Sequence, residues 1–296
     1  MVKMLTALMI SGIFGCTAGA APNTQTISVG RSDQGYLLDA TPLPDLGQGY
    51  RRVRPGEGTR YGTATLIEAI ERAALAVDEA YPGGYPLRVG DLSGPRGGAH
   101  ERHRSHRAGR DADLLYYVRD AGGLPARGVG WMGFDRFGLA IRSTRAFAFD
   151  EARNWHLVKT LLLDSDARVK WLFCSNDIKT RLLRYAARHE PSAKAVLRAT
   201  WVLHQPRGDP HADHFHVRVG CAPAERALGC REQPPFWPWQ HDAASKADGS
   251  RQVAATDAQL VDWLLAEQRL DERGDVTRLG VRVAAQPTAV ARGDLD

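Results

Sequence analysis

The segment His211-Ala-Asp-His-Phe-His-Val-Arg-Val219 alternates polar and apolar side chains through its second half. This alternation is typical of a β-strand with one buried face. In such a strand His214 and His216 point to one side of the sheet, while the intervening Phe215 points to the other. The segment therefore predicts a strand that joins a hydrophobic core on one face and presents two neighbouring imidazoles on the other.

A second segment, His103-Arg-Ser-His-Arg-Ala-Gly-Arg-Asp-Ala-Asp113, is rich in the same residue types. Asp111 and Asp113 share one face at the start of a predicted strand. His106 lies in the glycine-containing loop before it, where the backbone can bend to bring the imidazole towards Asp113. Two histidines and one carboxylate are a common ligand set for catalytic zinc, and nitrogen ligands favour zinc over magnesium or calcium. The two segments together predict a zinc centre.

The remaining histidines are not expected to carry the chemistry. His204 is predicted to be structural or to support the site. Ordinary polar surface positions are expected for three others, namely His156, His189 and His241.

The cysteines indicate an oxidising compartment. Cys221 and Cys230 lie close together in a loop, where we expect either a local disulfide or two free thiols. Cys174 belongs to an apolar run and is expected to be a small buried side chain.

The beginning of the chain has the order of residues found in a secretory signal peptide. Lys3 precedes an apolar run from Met4 to Phe14, and Ala18-Gly19-Ala20 offers a cleavage site. A lipoprotein signal ending at Cys16 is the alternative. We expect a periplasmic protein, either free or anchored through a lipid on Cys16.

Composition and charge exclude few classes of protein. The chain has 296 residues, of which 43% are hydrophobic and 25% charged, as in an ordinary globular protein. Its formal charge of +5 favours weak binding to polyanions. Basic residues do not form a stripe interleaved with aromatics, so no nucleic-acid partner is expected. An anionic cell-wall polymer fits an exported basic protein better.

Periodicity predicts an α+β fold with a small antiparallel sheet that carries the zinc site and is flanked by helices. We expect a signal peptide at 1–20, an irregular segment at 21–59, a domain at 60–238 that carries the zinc site and a partly disordered extension at 239–296. Helices are predicted near 63–81, 150–163 and 177–189. Strands are predicted at 87–92, 111–118, 169–174, 200–203 and 214–219.

The two motifs resemble those of the penicillin-insensitive murein endopeptidases, within a wider group that includes lysostaphin-type enzymes, D-Ala-D-Ala metallopeptidases and the hedgehog domain. The matching pieces are Ser-His106-Arg-Ala-Gly-Arg-Asp-Ala-Asp113 and His211-x-x-His214-Phe-His216-Val-Arg, with Gly90-Asp91-Leu92-Ser93 before them. The similarity runs from about residue 60 to residue 230.

This resemblance implies specific roles. Zinc would be bound by His106, Asp113 and His216, and His211 and His214 would be catalytic. The residues themselves leave His103 open as a further metal ligand, a partner of a ligand or a substrate contact. The substrate would be the D-alanyl to meso-diaminopimelyl cross-link of peptidoglycan. Some members of the family carry a second metal site, for which residues 114–149 offer no convincing equivalent.

Two other functions remain open on sequence grounds. A zinc D,D-carboxypeptidase would use a similar ligand set to trim terminal D-Ala. A non-catalytic wall-binding module would keep zinc for structure, although His211 and His214 would then have no purpose. The sequence does not predict an oligomeric state.

Overall fold

The computed structural model of the protein describes residues 26–143 and 145–240. These residues form five α-helices: α1 Ala64–Ala80, α2 Glu151–Leu163, α3 Asn176–His189, α4 Ala193–Val202 and α5 Pro223–Ala227, followed by a 3-10 turn at Pro238–Gln240. They also form fourteen strands: β1 Ile27–Gly30, β2 Gly35–Leu38, β3 Thr41–Pro42, β4 Leu46–Gly47, β5 Tyr50–Arg52, β6 Tyr61–Gly62, β7 Leu87–Val89, β8 Asp111–Leu115, β9 Val118–Asp120, β10 Pro125–Ala126, β11 Phe147–Phe149, β12 Val169–Phe173, β13 Leu203–His204 and β14 His214–Val219.

Several expectations concern residues outside this range. The signal peptide with Cys16, His241, and all but the first two residues of the extension predicted at 239–296 lie outside the described residues.

A seven-stranded sheet in the order β13-β12-β14-β8-β7-β5-β4 forms the centre of the fold. The four strands β12, β14, β8 and β7 are antiparallel to one another, whereas β13 pairs with β12 and β5 with β7 in parallel. The α+β prediction is confirmed, and the antiparallel part of the sheet is extended at both edges. None of the helices between residues 26 and 240 has the length and apolar character that crossing a bilayer requires.

One face of this sheet packs against the helices. Phe215 and Val217 of β14 and Leu114 of β8 are fully buried there, in a core shared with α1, α2, α3 and α4. The alternating side chains on the same strands therefore project from the opposite face, where the polar residues of both motifs lie.

The first four helices in the described residues begin at short polar side chains. Thr63, Asp150, Ser175 and Ser192 each precede a helix, and each side chain accepts a hydrogen bond from the backbone N–H three residues on. These contacts satisfy amide groups that have no partner within the helix, which fixes where α1 to α4 begin.

Two sequence-based expectations are wrong. The strand predicted at 200–203 is mostly the last turn of α4, and only Leu203–His204 is extended. Thr200 is accommodated in the helix because its hydroxyl donates to the carbonyl of Leu197 at 2.7 Å. The segment expected to be irregular, 21–59, contains the five short strands of residues 27–52. They are short, and two of their partners, β6 and β7, lie further along the chain, so local periodicity does not reveal them.

The strand predicted at 111–118 is divided in two. Its path breaks at Tyr117, whose N–H donates to Asn154 Oδ1 at 3.0 Å and whose carbonyl accepts from the Asn154 amide at 2.8 Å. The start of α2 thus takes the backbone groups that a continuous ladder would use.

The cysteine predictions are confirmed. Cys221 and Cys230 form a disulfide, and Cys174 is a buried free thiol.

Candidate metal centre

The register of two central strands brings the two motifs together. β14 runs antiparallel to β8, with His216 opposite Asp113 and Arg218 opposite Asp111. Side chains that face each other on one side of an antiparallel pair have Cβ atoms about 5 Å apart. The predicted shared faces, His214 with His216 and Asp111 with Asp113, are therefore the two halves of one polar surface.

His106 reaches this surface from a strained loop. Its backbone φ is +61°, a left-handed conformation that costs on the order of 1–3 kcal/mol unless its surroundings enforce it. The enforcing contacts come from the first two strands of the chain and the turn between them: the N–H of Arg107 donates to the Ser32 carbonyl at 3.1 Å, and the hydroxyl of Ser28 donates to the Ala108 carbonyl at 2.7 Å. The amino-terminal segment thus positions a site residue.

Four histidine nitrogens surround Asp113. Its Oδ1 lies 3.3 Å from Nε2 of His106, 3.3 Å from Nε2 of His214 and 3.6 Å from Nδ1 of His216, and its Oδ2 lies 3.4 Å from Nε2 of His103. Ligands about 2.0–2.1 Å from one tetrahedral ion are themselves roughly 3.3 Å apart. The spacing is therefore that of donor atoms arranged around a small cation.

The donor atoms at the bottom of the site have no hydrogen-bond partners. Both ring nitrogens of His106 and both carboxylate oxygens of Asp113 are buried and make no hydrogen bond. Buried polar groups left unpaired cost about 1–3 kcal/mol each. A cation bound between them would take one nitrogen of His106 and a carboxylate oxygen of Asp113 as ligands, so the residues present fit a metal ion.

Exposure separates the deeply buried donor side chains from the more exposed ones near the opening of the site, which we call the mouth. The side chains of His106 and Asp113 are 0% exposed and that of His216 4%, whereas His214 and His211 are each 9% exposed and His103 21%. His214 is as close to Asp113 as His106 is, so distance alone does not separate the predicted metal ligands from the predicted catalytic histidines. In exposure, His214 and His211 lie between the deep donors and His103.

The Asp213 carboxylate and the Asp209 backbone carbonyl hold the two mouth histidines in defined orientations. Nδ1 of His214 lies 2.6 Å from Oδ1 of Asp213. Burial lowers the pKa of His214, but Asp113 and Asp213 outweigh this and raise that pKa to about 10. His211 has a backbone φ of +46°, and its Nδ1 lies 3.0 Å from the Asp209 carbonyl. Burial and the neighbouring His214 lower the pKa of His211.

A buried ion pair between Asp111 and Arg218 holds the ring of His216 in place. Nε2 of His216 lies 2.8 Å from Oδ1 of Asp111, which also accepts from Nε of Arg218 at 2.5 Å. Burial lowers the pKa of His216 to about 3, despite the opposing effect of Asp111, so the ring is neutral, as a metal ligand must be. Because Nε2 faces Asp111, Nδ1 is directed towards Asp113.

His103 bridges two carboxylates. Its Nε2 lies 3.1 Å from Oδ2 of Asp91 and 3.4 Å from Oδ2 of Asp113. Ligand atoms of Asp91, His100 and His103 also lie within 4.8 Å of one another. Asp91, however, accepts hydrogen bonds from Arg54 and Arg102, and these two guanidinium groups already neutralise its charge. We therefore interpret Asp91 as a support for His103 rather than as part of a second metal site.

Sequence reasoning missed two residues that shape the mouth, and it assigned no role to Asp91. Asp213 belongs to the second motif, but no role was predicted for it. The ring of Trp131 meets His214 edge-on, with centroids 5.0 Å apart, and the sequence around Trp131 gives no signal of this. Trp131 comes near the centre only because residues 127–140 fold back over the sheet.

Three further histidines pack against aromatic side chains. His204 packs against Trp171, with ring centroids 5.1 Å apart, and His156 packs edge-on against Tyr81 at 5.7 Å. His189 is exposed beside Tyr185.

Comparison with known proteins identifies the family. The family model described as penicillin-insensitive murein endopeptidase matches residues 28–259. A penicillin-insensitive murein endopeptidase of Haemophilus influenzae is 31% identical over 216 residues, which cover 70% of this chain and 67% of the relative. One from Pectobacterium atrosepticum is 28% identical over 217 residues, covering 71% and 70%. The match includes both motifs, and the chain belongs to the penicillin-insensitive murein endopeptidase family.

Proposed function

We propose that this protein is a zinc-dependent murein endopeptidase that hydrolyses D-alanyl to meso-diaminopimelyl cross-links in peptidoglycan. The observation that carries the proposal is the unpartnered, fully buried pair of His106 and Asp113, with His216 on the facing strand. Family membership supports the peptidase class and a cell-wall substrate. A wall substrate in turn supports an extracytoplasmic location, as do the disulfide and the predicted signal peptide.

His106, Asp113 and His216 would hold the zinc ion, and His103 is a further candidate ligand at the rim. Two imidazoles and a carboxylate leave a coordination position open in a tetrahedral zinc site. When bound there, zinc supplies Lewis acidity that activates a water molecule and polarises a carbonyl group. Asp111 would keep the His216 ring in the tautomer that presents Nδ1 to the metal.

His214 and His211 would stabilise the oxyanion and transfer protons. Their ring centroids are 5.0 Å apart, close enough for both to contact one peptide bond. His214, held between Asp213 and Asp113 with a raised pKa, would be protonated and would stabilise the developing oxyanion. His211, whose pKa is lowered, would be neutral, and it would accept a proton from the attacking water and then deliver that proton to the leaving amine.

Digestion of purified cross-linked muropeptide dimers tests this function directly. We expect the protein to convert dimers into monomers, a chelator to stop the reaction, and zinc to restore it. His106→Ala should lose both zinc and activity. His189→Ala is a matched control, because this imidazole is exposed at the end of α3 beside Tyr185, and it should retain both.

The products distinguish the alternatives. Loss of one terminal D-Ala without separation of the dimers would show a carboxypeptidase, and no change of any muropeptide would favour a wall-binding module. Full zinc content together with full turnover in His106→Ala would refute the assigned site.

A further inference from the structure

A cleft opens beside the candidate metal centre. Its volume is about 810 Å³, and its lining includes Arg88, Asp120, Arg127, Gly130 and Arg145. Nothing in the proposed mechanism uses this cleft.

The sheet places the cleft on the same face as the centre. Arg88 of β7 lies opposite Leu115 of β8, and Leu115 lies opposite His214 of β14. Arg88 and His214 thus occupy one row across three strands, and a strand spacing of about 4.8 Å puts their backbones roughly 10 Å apart. An extended peptide bound at His214 needs only about three further residues to reach the cleft.

The loop between the two regions connects them physically. Nη1 of Arg88 donates to the carbonyls of Gly128 and Gly130 at 2.9 and 3.1 Å. The next residue, Trp131, meets the ring of His214. One wall of the cleft is thereby continuous with the mouth of the metal centre.

Positive charge in the cleft exceeds negative charge. Three arginines line it against the single carboxylate of Asp120, and Oδ1 of Asp120 already accepts from the backbone N–H groups of Gly122 and Leu124 in its own turn. Among residues 26–143 and 145–240, no carboxylate forms an ion pair with Arg88, Arg127 or Arg145. Burial and the nearby Arg127 lower the pKa of Arg88, as expected for guanidinium groups held close together with no anion between them.

We propose that this cleft binds a free carboxylate of the peptidoglycan stem peptide and thereby aligns the cross-link with the metal centre. The inference rests on the proposed function and extends it to substrate recognition. The diaminopimelyl residue of the cross-link is joined through one amino group, so the carboxylate beside that nitrogen stays free. Guanidinium groups bind carboxylates through paired, charge-assisted hydrogen bonds, and Arg127 is exposed to make them.

Binding of an uncleavable monomer tests the cleft without requiring catalysis. Isothermal titration of the full-length, metal-loaded protein would compare a stem tetrapeptide that has free carboxylates with the same peptide amidated at those groups. We expect Arg127→Gln to weaken binding of the free acid roughly tenfold, the effect of losing one good charged contact. The double variant Arg127→Gln/Arg145→Gln should bind both peptides equally weakly.

Arg188→Gln is the matched control, since it removes the same charge from an exposed position in the last turn of α3, outside the cleft. It should bind the free acid as the unaltered protein does. Equal affinity of the unaltered protein for the two peptides, no measurable binding of either, or an equal loss in Arg188→Gln would overturn the proposal.

Parallel digestion of cross-linked dimers separates this proposal from the proposed function. Intact cleavage without carboxylate-dependent binding would overturn the role of the cleft alone. Carboxylate-dependent binding without cleavage would overturn the endopeptidase assignment alone. When both hold, the arginine variants should raise KM while kcat stays close to that of the unaltered protein.

Discussion

The two faces of the central sheet use the same strands in opposite ways. On the helix-facing side, Phe215 and Leu114 are completely buried among apolar neighbours. On the other side, His216 and Asp113 are almost as inaccessible, yet they are ionisable. Successive residues of one strand therefore belong to a hydrophobic core and to a charged pocket.

The two faces differ in whether their side chains are satisfied by contacts within the chain. The apolar face gains its stability from removing hydrocarbon from water and needs nothing from outside the chain. The polar face leaves both nitrogens of His106 and both oxygens of Asp113 without hydrogen bonds. Substitutions on the two faces should therefore affect different properties, and four changes test this in order of decreasing effect.

The largest effect is expected from His216→Ala on the polar face. We expect activity to fall on the order of a thousandfold or more, because a bound metal contributes several kcal/mol to transition-state stabilisation. Zinc content, measured by elemental analysis, should fall with it. A variant that keeps both zinc and turnover would show that the polar face does not hold the metal through this residue.

Phe215→Ala, at the neighbouring position on the apolar face, should lower stability and leave zinc affinity unchanged. Removing this fully buried ring is expected to lower the free energy of unfolding by about 3–5 kcal/mol, as measured by urea denaturation. The zinc affinity of the fraction that remains folded should be nearly unchanged. If zinc affinity fell as far as in His216→Ala, the two faces would not be independent.

Asp111→Asn should lower the zinc affinity of the centre without abolishing zinc binding. The carboxylate links His216 to Arg218, and loss of such a supporting group typically reduces metal affinity about 10- to 100-fold. Competition with a fluorescent chelator would measure this, and excess zinc should restore activity. Asp213→Asn is the control: it alters the partner of His214 and should reduce turnover while zinc affinity stays the same.

The smallest effect is expected from Gly90→Ala at the rim. A Cβ atom at Gly90 would lie 2.6 Å from a ring atom of Trp131 and 3.1 Å from Cβ of Asp113. The Trp131 ring, which contacts His214, must shift away from residue 90, at a cost of about 1 kcal/mol. Trp131 fluorescence and kcat/KM should change modestly, with full zinc content. An unchanged kcat/KM would show that the position of Trp131 has no effect on the reaction.

Local patterns were sufficient for the long elements. The limits of α2 and β12 agree with the predictions to within one residue, because a capping side chain and a continuous apolar run are both visible in the sequence. Local patterns failed at 200–203, where β-branched residues suit strands but the helix starting after Ser192 continues through them. They also failed for β1 to β5, which are too short to show a period.

The candidate site was predictable in its residue types and not in its arrangement. Alternation along β8 and β14 indicates which side chains share a face, and the resemblance implied a ligand set. The order of depth, from His106 at the bottom to His103 at the rim, follows from loops whose path depends on distant contacts. Asp91 and Trp131 acquire their roles through those contacts alone.

The sequence by itself determined which face of each central strand would be apolar, because side chains of an extended chain alternate with a period of two. It also determined the chemistry available on the other face, two histidines and two aspartates on neighbouring strands. Only the tertiary structure decided the register that sets His216 opposite Asp113, the backbone strain that turns His106 inward, and the loop that joins the arginine cleft to the centre. These depend on hydrogen bonds between residues far apart in the chain, such as that from Ser28 to Ala108, which no local pattern encodes.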